Sequence, residues 1–210
     1  GLLRLNSTVG AARRILRPLV FAYLNRYPEM SVEIVTEGKL IDIVREGFDA
    51  GLRLGEQVPA DMIAVALGQD ERLIVVGSPD YLTKRAPPVA PDDLAEHDCI
   101  RMRLSGGAVY RWEFEKDGKE VLIDVSGRLT LDESSLIREA VLAGYGLAYI
   151  SAWDVADDLR EGRLVQLLAD WTPPFPGLCL YYPGHRHVPA GLRGFIDLIQ
   201  ERRRKKEAAF

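Results

Sequence analysis

The segment "RLTLDESSLIREAVLAGYGLAYIS", Arg128 to Ser151, constrains the fold most, because it spells out one strand–helix–strand unit together with its breaks. Leu129–Leu131 reads as the end of a strand, Asp132–Ser135 offers capping residues, and Leu136–Ala143 repeats apolar side chains at helical spacing. Gly144 and Gly146 stop that helix, and Leu147–Ile150 forms the next buried strand. A helix that opens at the carboxyl end of a strand lies where open α/β sheets bind ligands, yet nothing in "DESS" is a catalyst. These residues are either ordinary caps or part of a site that binds without doing chemistry.

The same alternation runs through the rest of the chain. Strands are expected at Leu3–Asn6, Val32–Thr36 and Ala50–Leu54, with helices at Gly10–Tyr27 and Leu40–Arg45 between them. Pro28 and Gly47 are the stops. Strand–helix–strand at this pace predicts a parallel sheet with right-handed crossovers. Further apolar runs fall at Ile63–Leu67, Leu73–Val76 and Cys99–Leu104, with a short helix after Pro79. "EKDGKE" reads as a hairpin turn on Asp117-Gly118, between Trp112–Phe114 and Val121–Val125. A helix over Trp153–Arg160, the break "WTPPFPG", a strand at Leu178–Tyr182 and a helix over Ala190–Arg204 complete the chain. The pattern predicts two α/β lobes, the first from residues 1–74 plus 177–210 and the second from 75–176, with a ligand cleft between them.

Composition narrows the function. The 210 residues are 47% hydrophobic and 28% charged, enough for a sizeable core and far from disorder. A net charge of −4 argues against a nucleic-acid surface on this stretch, since phosphate contacts need clustered Lys and Arg. The one basic run, Arg202–Lys206, reads as a solvated tail. No run is long and apolar enough to span a bilayer, and "GLLRLNSTVGAARRILRP" has no apolar core of a signal peptide. The chain starts at Gly1 and enters a strand at once, so a piece of a longer protein is expected.

No nucleophile elbow, H-E-x-x-H or Walker A motif is present. "GYG" at Gly144–Gly146 ends a helix, whereas a dinucleotide fingerprint opens one. His185 and His187 near Cys179, and His97 beside Cys99, fall short of the three or four ligands that zinc wants. The two cysteines lie in apolar strands, where a free thiol is usually a small core hydrophobe, and they suit a reducing compartment. What remains is binding. "NSTVG" (Asn6–Gly10) and "DESS" (Asp132–Ser135) both offer helix-start N–H groups and hydroxyls, the kit that holds a carboxylate or phosphate, although capping explains them as well. Arg53, Arg101 and Arg103 interrupt apolar strands, and strand alternation puts the last two on one face.

Several stretches together resemble the effector-binding domain of the LysR-type transcriptional regulators. They are "YPEMSVEIVTEGKLIDIVREGFDAGLRLG", "LIVVGSPDYL", "DDLAEHDCIRMR" and "LDESSLIREAVLAGYGLAYISAWDVADDLREGRLVQLL", continuing into the final helix. The resemblance covers essentially the whole chain in one register. It implies a fold like the type 2 periplasmic binding proteins, two Rossmann-like lobes with a small-molecule cleft, and no enzymatic activity, cofactor or metal. It also implies a preceding winged helix-turn-helix that contacts promoter DNA, a homodimer or tetramer, and a cytoplasmic location. Dimerisation would set Gly10–Tyr27 and Val32–Thr36 against the Ser134–Ala143 region of a second copy. The effector is expected at Ser7, Thr8, Val9 and Gly10, at Thr36, Glu37 and Gly38, at Arg53, Arg101 and Arg103, and at Glu133 and Ser134. The family often carries Ser or Thr where this chain has Gly10. Two helix starts and three arginines favour a small organic acid. A solute-binding protein of the periplasmic type, with the same lobes and no DNA-binding role, is the alternative reading.

Overall fold

The computed structural model describes residues 1–37, 41–184 and 187–208. In chain order the elements are β1 (Leu2–Asn6), α1 (Val9–Ala11), a π-helical turn (Ala12–Leu16), α2 (Arg17–Arg26), β2 (Ser31–Val35), β3 (Ala50–Leu54), β4 (Met62–Ala66), β5 (Leu73–Gly77) and α3 (Pro79–Leu82). There follow β6 (Cys99–Met102), β7 (Trp112–Lys116), β8 (Lys119–Ile123), β9 (Thr130–Leu131), α4 (Ser134–Leu142), β10 (Leu147–Ser151), α5 (Ala156–Arg160), β11 (Val165–Leu167), β12 (Leu178–Pro183) and α6 (Ala190–Glu207). They form two compact units, Gly1–Asp70 with Pro176–Phe210, and Glu71–Phe175. β5 therefore lies wholly in the second unit and β12 wholly in the first. Glu71 and Phe175, the second unit's first and last residues, are bridged by reciprocal backbone hydrogen bonds of 2.9 Å each.

The first unit is a five-stranded sheet in the order β2-β1-β3-β12-β4. β2, β1 and β3 are parallel, with the helical segment of α1 and α2 crossing from β1 to β2, whereas β12 runs antiparallel to both β3 and β4. Leu3 and Leu5 of β1 pack with Leu16, Leu19 and Tyr23 of the first helical segment and Phe195 and Ile199 of α6. The Tyr23 hydroxyl donates to the Gly191 carbonyl at 2.8 Å, and its ring meets Phe195 edge-on.

Three expectations are corrected here. The helix foreseen over Gly10–Tyr27 contains the π turn, in which the Arg17 N–H reaches back to the Ala12 carbonyl. Pro18 is the physical reason: it has no N–H to give the Arg14 carbonyl, and in an α-helix its ring would clash there. Of the helix foreseen over Leu40–Arg45, Leu40 lies outside the described residues and the rest forms only a turn over 43–47. The Asp42 carboxylate accepts the N–H groups of Val44 and Arg45 at 3.0 and 3.2 Å, and Gly47 turns away at φ +74°. A similar shortening makes α5 begin at Ala156, because Trp153 and Asp154 are spent on a turn whose Asp154 N–H donates to the Ser151 carbonyl.

The second unit is a five-stranded sheet, β11-β5-β10-β6-β9, with the β7-β8 hairpin beside it. β10, β6 and β9 are parallel, and β5 is antiparallel to its neighbours β10 and β11. Alternation along the strands feeds two cores. Val75, Leu147 and Tyr149 pack with Trp112 and Phe114 on one side, while Ile74, Val76, Ala148 and Ile150 pack with Ile137 and Val141 of α4 on the other. Burial on both faces is why "LIVVG" and "LAYIS" are apolar without a break. The hairpin turns on Asp117 and Gly118, both at positive φ, as a tight two-residue turn requires. At the end of α4, Gly144 takes φ +80°; at Gly146 (φ +147°) a Cβ would come within 2.3 Å of the Asp98 carbonyl oxygen.

Asp158 and His97 are among the polar groups buried in this unit. Asp158, fully buried, accepts Arg138 through both oxygens at 2.6 and 2.8 Å and Arg163 Nε at 2.9 Å. Those guanidinium donors hold its carboxyl below the ordinary aspartate value. His97 lies against Tyr81, Nδ1 to hydroxyl 3.0 Å. The Asp98 N–H donates to that hydroxyl at 3.1 Å, so the hydroxyl links the ring to the backbone. Burial, with Arg85 nearby, depresses the pKa of His97.

These groups act in separate pH windows. Above 6.5 neither folded nor unfolded His97 holds the extra proton; as the pH falls through 6.5 the unfolded chain binds one that the native state refuses. Stability is expected to start falling there, and His97→Gln is expected to flatten that arm of a Tm-against-pH profile. Asp158 supports the fold above its ordinary value of 3.8 and loses that support as the pH falls below it. At neutral pH Asp158→Asn is expected to cost roughly 1.5–3 kcal/mol, the worth of hydrogen bonds to a charged group, in urea unfolding.

Candidate functional site

In the first unit the candidates gather at the carboxyl ends of the parallel strands. Ser7, directly after β1, is 1% exposed. Its N–H donates to the Val35 carbonyl at 3.1 Å and its hydroxyl to the Thr8 carbonyl at 3.1 Å. Thr8 is the N-cap of α1, extended at φ −81°, ψ 160°, and its hydroxyl accepts the Ala11 N–H at 3.3 Å. Val9 and Gly10 open the helix, and a Cβ built on Gly10 would meet nothing within 4 Å. Thr36 and Glu37 follow β2 and are exposed, while Gly38 lies outside the described residues. Arg53 is further along β3. It donates to the Ile41 carbonyl at 2.6 Å and stacks over the Tyr181 ring at 4.8 Å, beside a cavity of about 380 Å³ also lined by Asp42 and Asp61.

In the second unit the candidates again sit at the carboxyl ends of parallel strands. Arg101 pairs with Thr130, and Met102 with Leu131, just before α4 begins. Arg103 is exposed and donates to the Gly107 carbonyl at 2.6 Å. Arg101 is half-buried, and its Nε has no hydrogen-bond partner among the described residues. Glu133 is the N-cap of α4: its carboxylate accepts the N–H groups of Ser135 and Leu136 at 2.9 and 3.2 Å, and the Ser135 hydroxyl as well. That carboxylate is turned onto its own helix, where it offsets the positive end of the helix dipole. Ser134, half-buried, is the first helical residue.

The residues weighed for other chemistry are occupied by the fold. Burial pushes the Cys99 thiol up to about 12, far from a reactive thiolate, and also raises Cys179. His97 is held by Tyr81, and His185 lies outside the described residues. Among the described residues no group of three or more His, Cys, Asp or Glu side chains could hold a metal, and no helix is long and apolar enough to cross a membrane. Asn6, quoted with "NSTVG" but left out of the expected effector residues, is buried at the end of β1 with its amide donating to the Val35 carbonyl at 3.4 Å. Its signal was a polar residue closing an apolar strand. Sequence reasoning missed Tyr181, which sits under Arg53 across the β3–β12 pairing and had no local signal at all.

Comparison with known proteins matches residues 1–204 to the LysR substrate binding domain model. The HTH-type transcriptional regulator PgrR of Escherichia coli (strain K12) is 36% identical over 201 residues, which is 95% of this chain and 67% of that protein. The uncharacterized HTH-type transcriptional regulator YcaN of the same strain is 38% identical over 200 residues, 95% of this chain and 65% of that protein. The chain thus spans about two-thirds of the length of these relatives. The regulatory domain of CrgA, a LysR-type regulator from Neisseria meningitidis, superposes with a TM-score of 0.78 at 28% identity, covering 96% of this chain and 98% of that one. The full-length Vibrio cholerae virulence activator AphB gives 0.83 at 24% identity over 96% of this chain and 68% of that one, a likeness of fold alone.

Proposed function

This chain belongs to the LysR substrate-binding domain family, whose members are parts of transcriptional regulators and not enzymes, and from that premise we propose that it is the effector-sensing and dimerising part of such a regulator. In this reading a preceding winged helix-turn-helix contacts promoter DNA in the cytoplasm, and a small organic acid in the inter-lobe cleft of the family fold modulates transcription. The observation that carries it is the common position of the candidates: in each unit they lie at or just beyond the carboxyl ends of parallel strands, where open α/β sheets bind ligands. Ser7, Thr8, Val9, Gly10, Thr36, Glu37, Gly38, Arg53, Arg101, Arg103, Glu133 and Ser134 are the proposed effector residues.

The acidic character of the effector is supported by the side chains. Glu133 directs its carboxylate at its own helix, so it does not oppose an anion as strongly as its sequence position suggests. Arg101 has a buried Nε for which a carboxylate is a natural partner. A helix start contributes about 0.3–1 kcal/mol towards an anion at exposed sites. Thermal-shift and calorimetric screening of the chain against small acids, amines and neutral aromatics is expected to find binding among the acids. Arg103→Ala and Ser134→Ala, singly, are expected to weaken that acid by about tenfold, the loss of one charge-assisted hydrogen bond. Binding confined to amines, or an affinity that neither replacement changes, would refute the assignment.

Dimerisation is supported by apolar side chains left at the surface. Phe21 on α2 is 60% exposed, Leu2 on β1 56% and Leu136 on α4 46%, while Val20 and Leu24, also candidates for the interface, pack into the first unit's core. Light scattering is expected to give a dimer mass that Phe21→Glu converts to a monomer, because a buried unpaired charge is costly at an interface. A parent chain that stays monomeric at millimolar concentration would sink this part of the reading.

A further inference from the structure

The two faces of the first unit's sheet are unlike. Ala50, Leu52, Leu180 and Tyr182 turn to the core that α2 and α6 cover. Strand alternation sends Gly51, Arg53 and Tyr181 to the other face. There Tyr181 stands across from Gly51, and its ring takes the space a side chain would fill: a Cβ on Gly51 would lie 2.7 Å from it. Arg53, two residues further along β3, covers that ring at 4.8 Å. The chain that follows β2 reaches this face as the turn over 43–47, which Asp42 holds short of a helix. The face is left partly uncovered, with a cavity of about 380 Å³ walled by Ile41, Val44, Pro59 and Met62.

Packing does not account for the polar groups that line this cavity. Tyr181 is 1% exposed, and its hydroxyl has no hydrogen-bond partner among the described residues. A buried hydroxyl left unpaired is costly, so a partner within the cavity would stabilise it. Burial raises its pKa against the pull of Arg53, so it keeps a proton to donate. Arg53 gives one of its five donors to the Ile41 carbonyl at 2.6 Å and lies on the Tyr181 ring. Asp42 and Asp61, both exposed, line the same hollow with their carboxylates. A simple acid meets those carboxylates unfavourably and a simple amine meets the guanidinium unfavourably. A molecule that carries both charges satisfies both sets.

We propose that this cavity binds a free α-amino acid with an aliphatic side chain. Its carboxylate would lie on Arg53 and the Tyr181 hydroxyl, its ammonium towards Asp42 and Asp61, and its side chain on Ile41, Val44, Pro59 and Met62. The site lies wholly within the first unit and goes beyond the effector reading above, with which it shares only Arg53. The volume falls near the lower end of the roughly 300–1,000 Å³ of small-molecule pockets, as a ligand of this size requires.

The test is a nuclear magnetic resonance titration of the isotope-labelled chain with L-leucine, its decarboxylated counterpart 3-methylbutylamine and its deaminated counterpart 4-methylpentanoate. Leucine is expected to shift the amides of residues 41–44, Arg53, Met62 and Tyr181 in a saturable way, and each truncated analogue to bind there at least several-fold more weakly. Tyr181→Phe, which keeps the ring over Gly51, is expected to lower the leucine affinity by about tenfold, the loss of one charge-assisted hydrogen bond. Asp61→Asn, at an exposed position outside the core, is expected to weaken leucine several-fold without weakening 4-methylpentanoate. The proposal is overturned by an absence of saturable shifts at these amides, by equal affinity for leucine and either analogue, or by indifference of leucine to both variants. Leucine shifts confined to Arg101, Arg103 and Ser134 would overturn it too. A small acid that moves those second-unit amides while leucine moves none around Tyr181 would sink this site and leave the effector reading standing. The reverse result would uphold this site and count only against the effector reading.

Discussion

The pairing of β12 between β3 and β4 is the constraint on which the first unit rests. Leu180 stands opposite Leu52 on one side and Val65 on the other, so a strand from near the end of the chain occupies the middle of a sheet begun by its opening residues. Without β12, β4 has no partner and β3 becomes an exposed edge. The whole second unit is contained between β4 and β12, yet the entropy of closing so long a connection grows only with the logarithm of its length. The reciprocal hydrogen bonds between Glu71 and Phe175 then hold the two ends of the second unit side by side. They do locally what the β12 pairing does for the first sheet.

This arrangement explains what collects at the carboxyl ends of the parallel strands. Parallel strands need long crossovers, and those that follow β1 and β9 start a helix at the strand's carboxyl end, leaving N–H groups without intrahelical partners. Thr8 satisfies one such group and Glu133 two more. The reactive side chains, by contrast, are consumed by structure. Cys99 is deep in the second unit's core, His97 is locked to Tyr81, and Asp158 is saturated by two arginines. An acid–base pair would need groups poised to exchange protons, and these are committed to partners or buried within the fold.

Much of the fold was legible because hydrophobic period reports strand and helix directly. The Arg128–Ser151 unit, the Asp117-Gly118 hairpin and the runs at β5 and β10 follow from it, since burial on both sheet faces leaves an unbroken apolar signature. Misreadings occurred where side chains compete with backbone ladders. Asp42 diverts the N–H groups that a helix would have used, and Pro18 forces a π turn into a segment whose apolar spacing reads as plain α-helix. The candidate residues were legible as positions at strand ends, but their present commitments were not. Arg103 turning to the Gly107 carbonyl and Glu133 folding onto its own helix depend on geometry a few residues away.

The sequence by itself determined most of the element types, because they are written in local order as periodicity, caps and breaks, and its stretches read together in one register carried the resemblance to the family. Only the tertiary structure decided which charges are free to act. Arg53 acquires Tyr181 as a stacking partner, and Asp158 acquires Arg138. A charge's usefulness depends on its partners and its burial, and both are fixed by residues distant in sequence that the β12 pairing and the helix packing bring together.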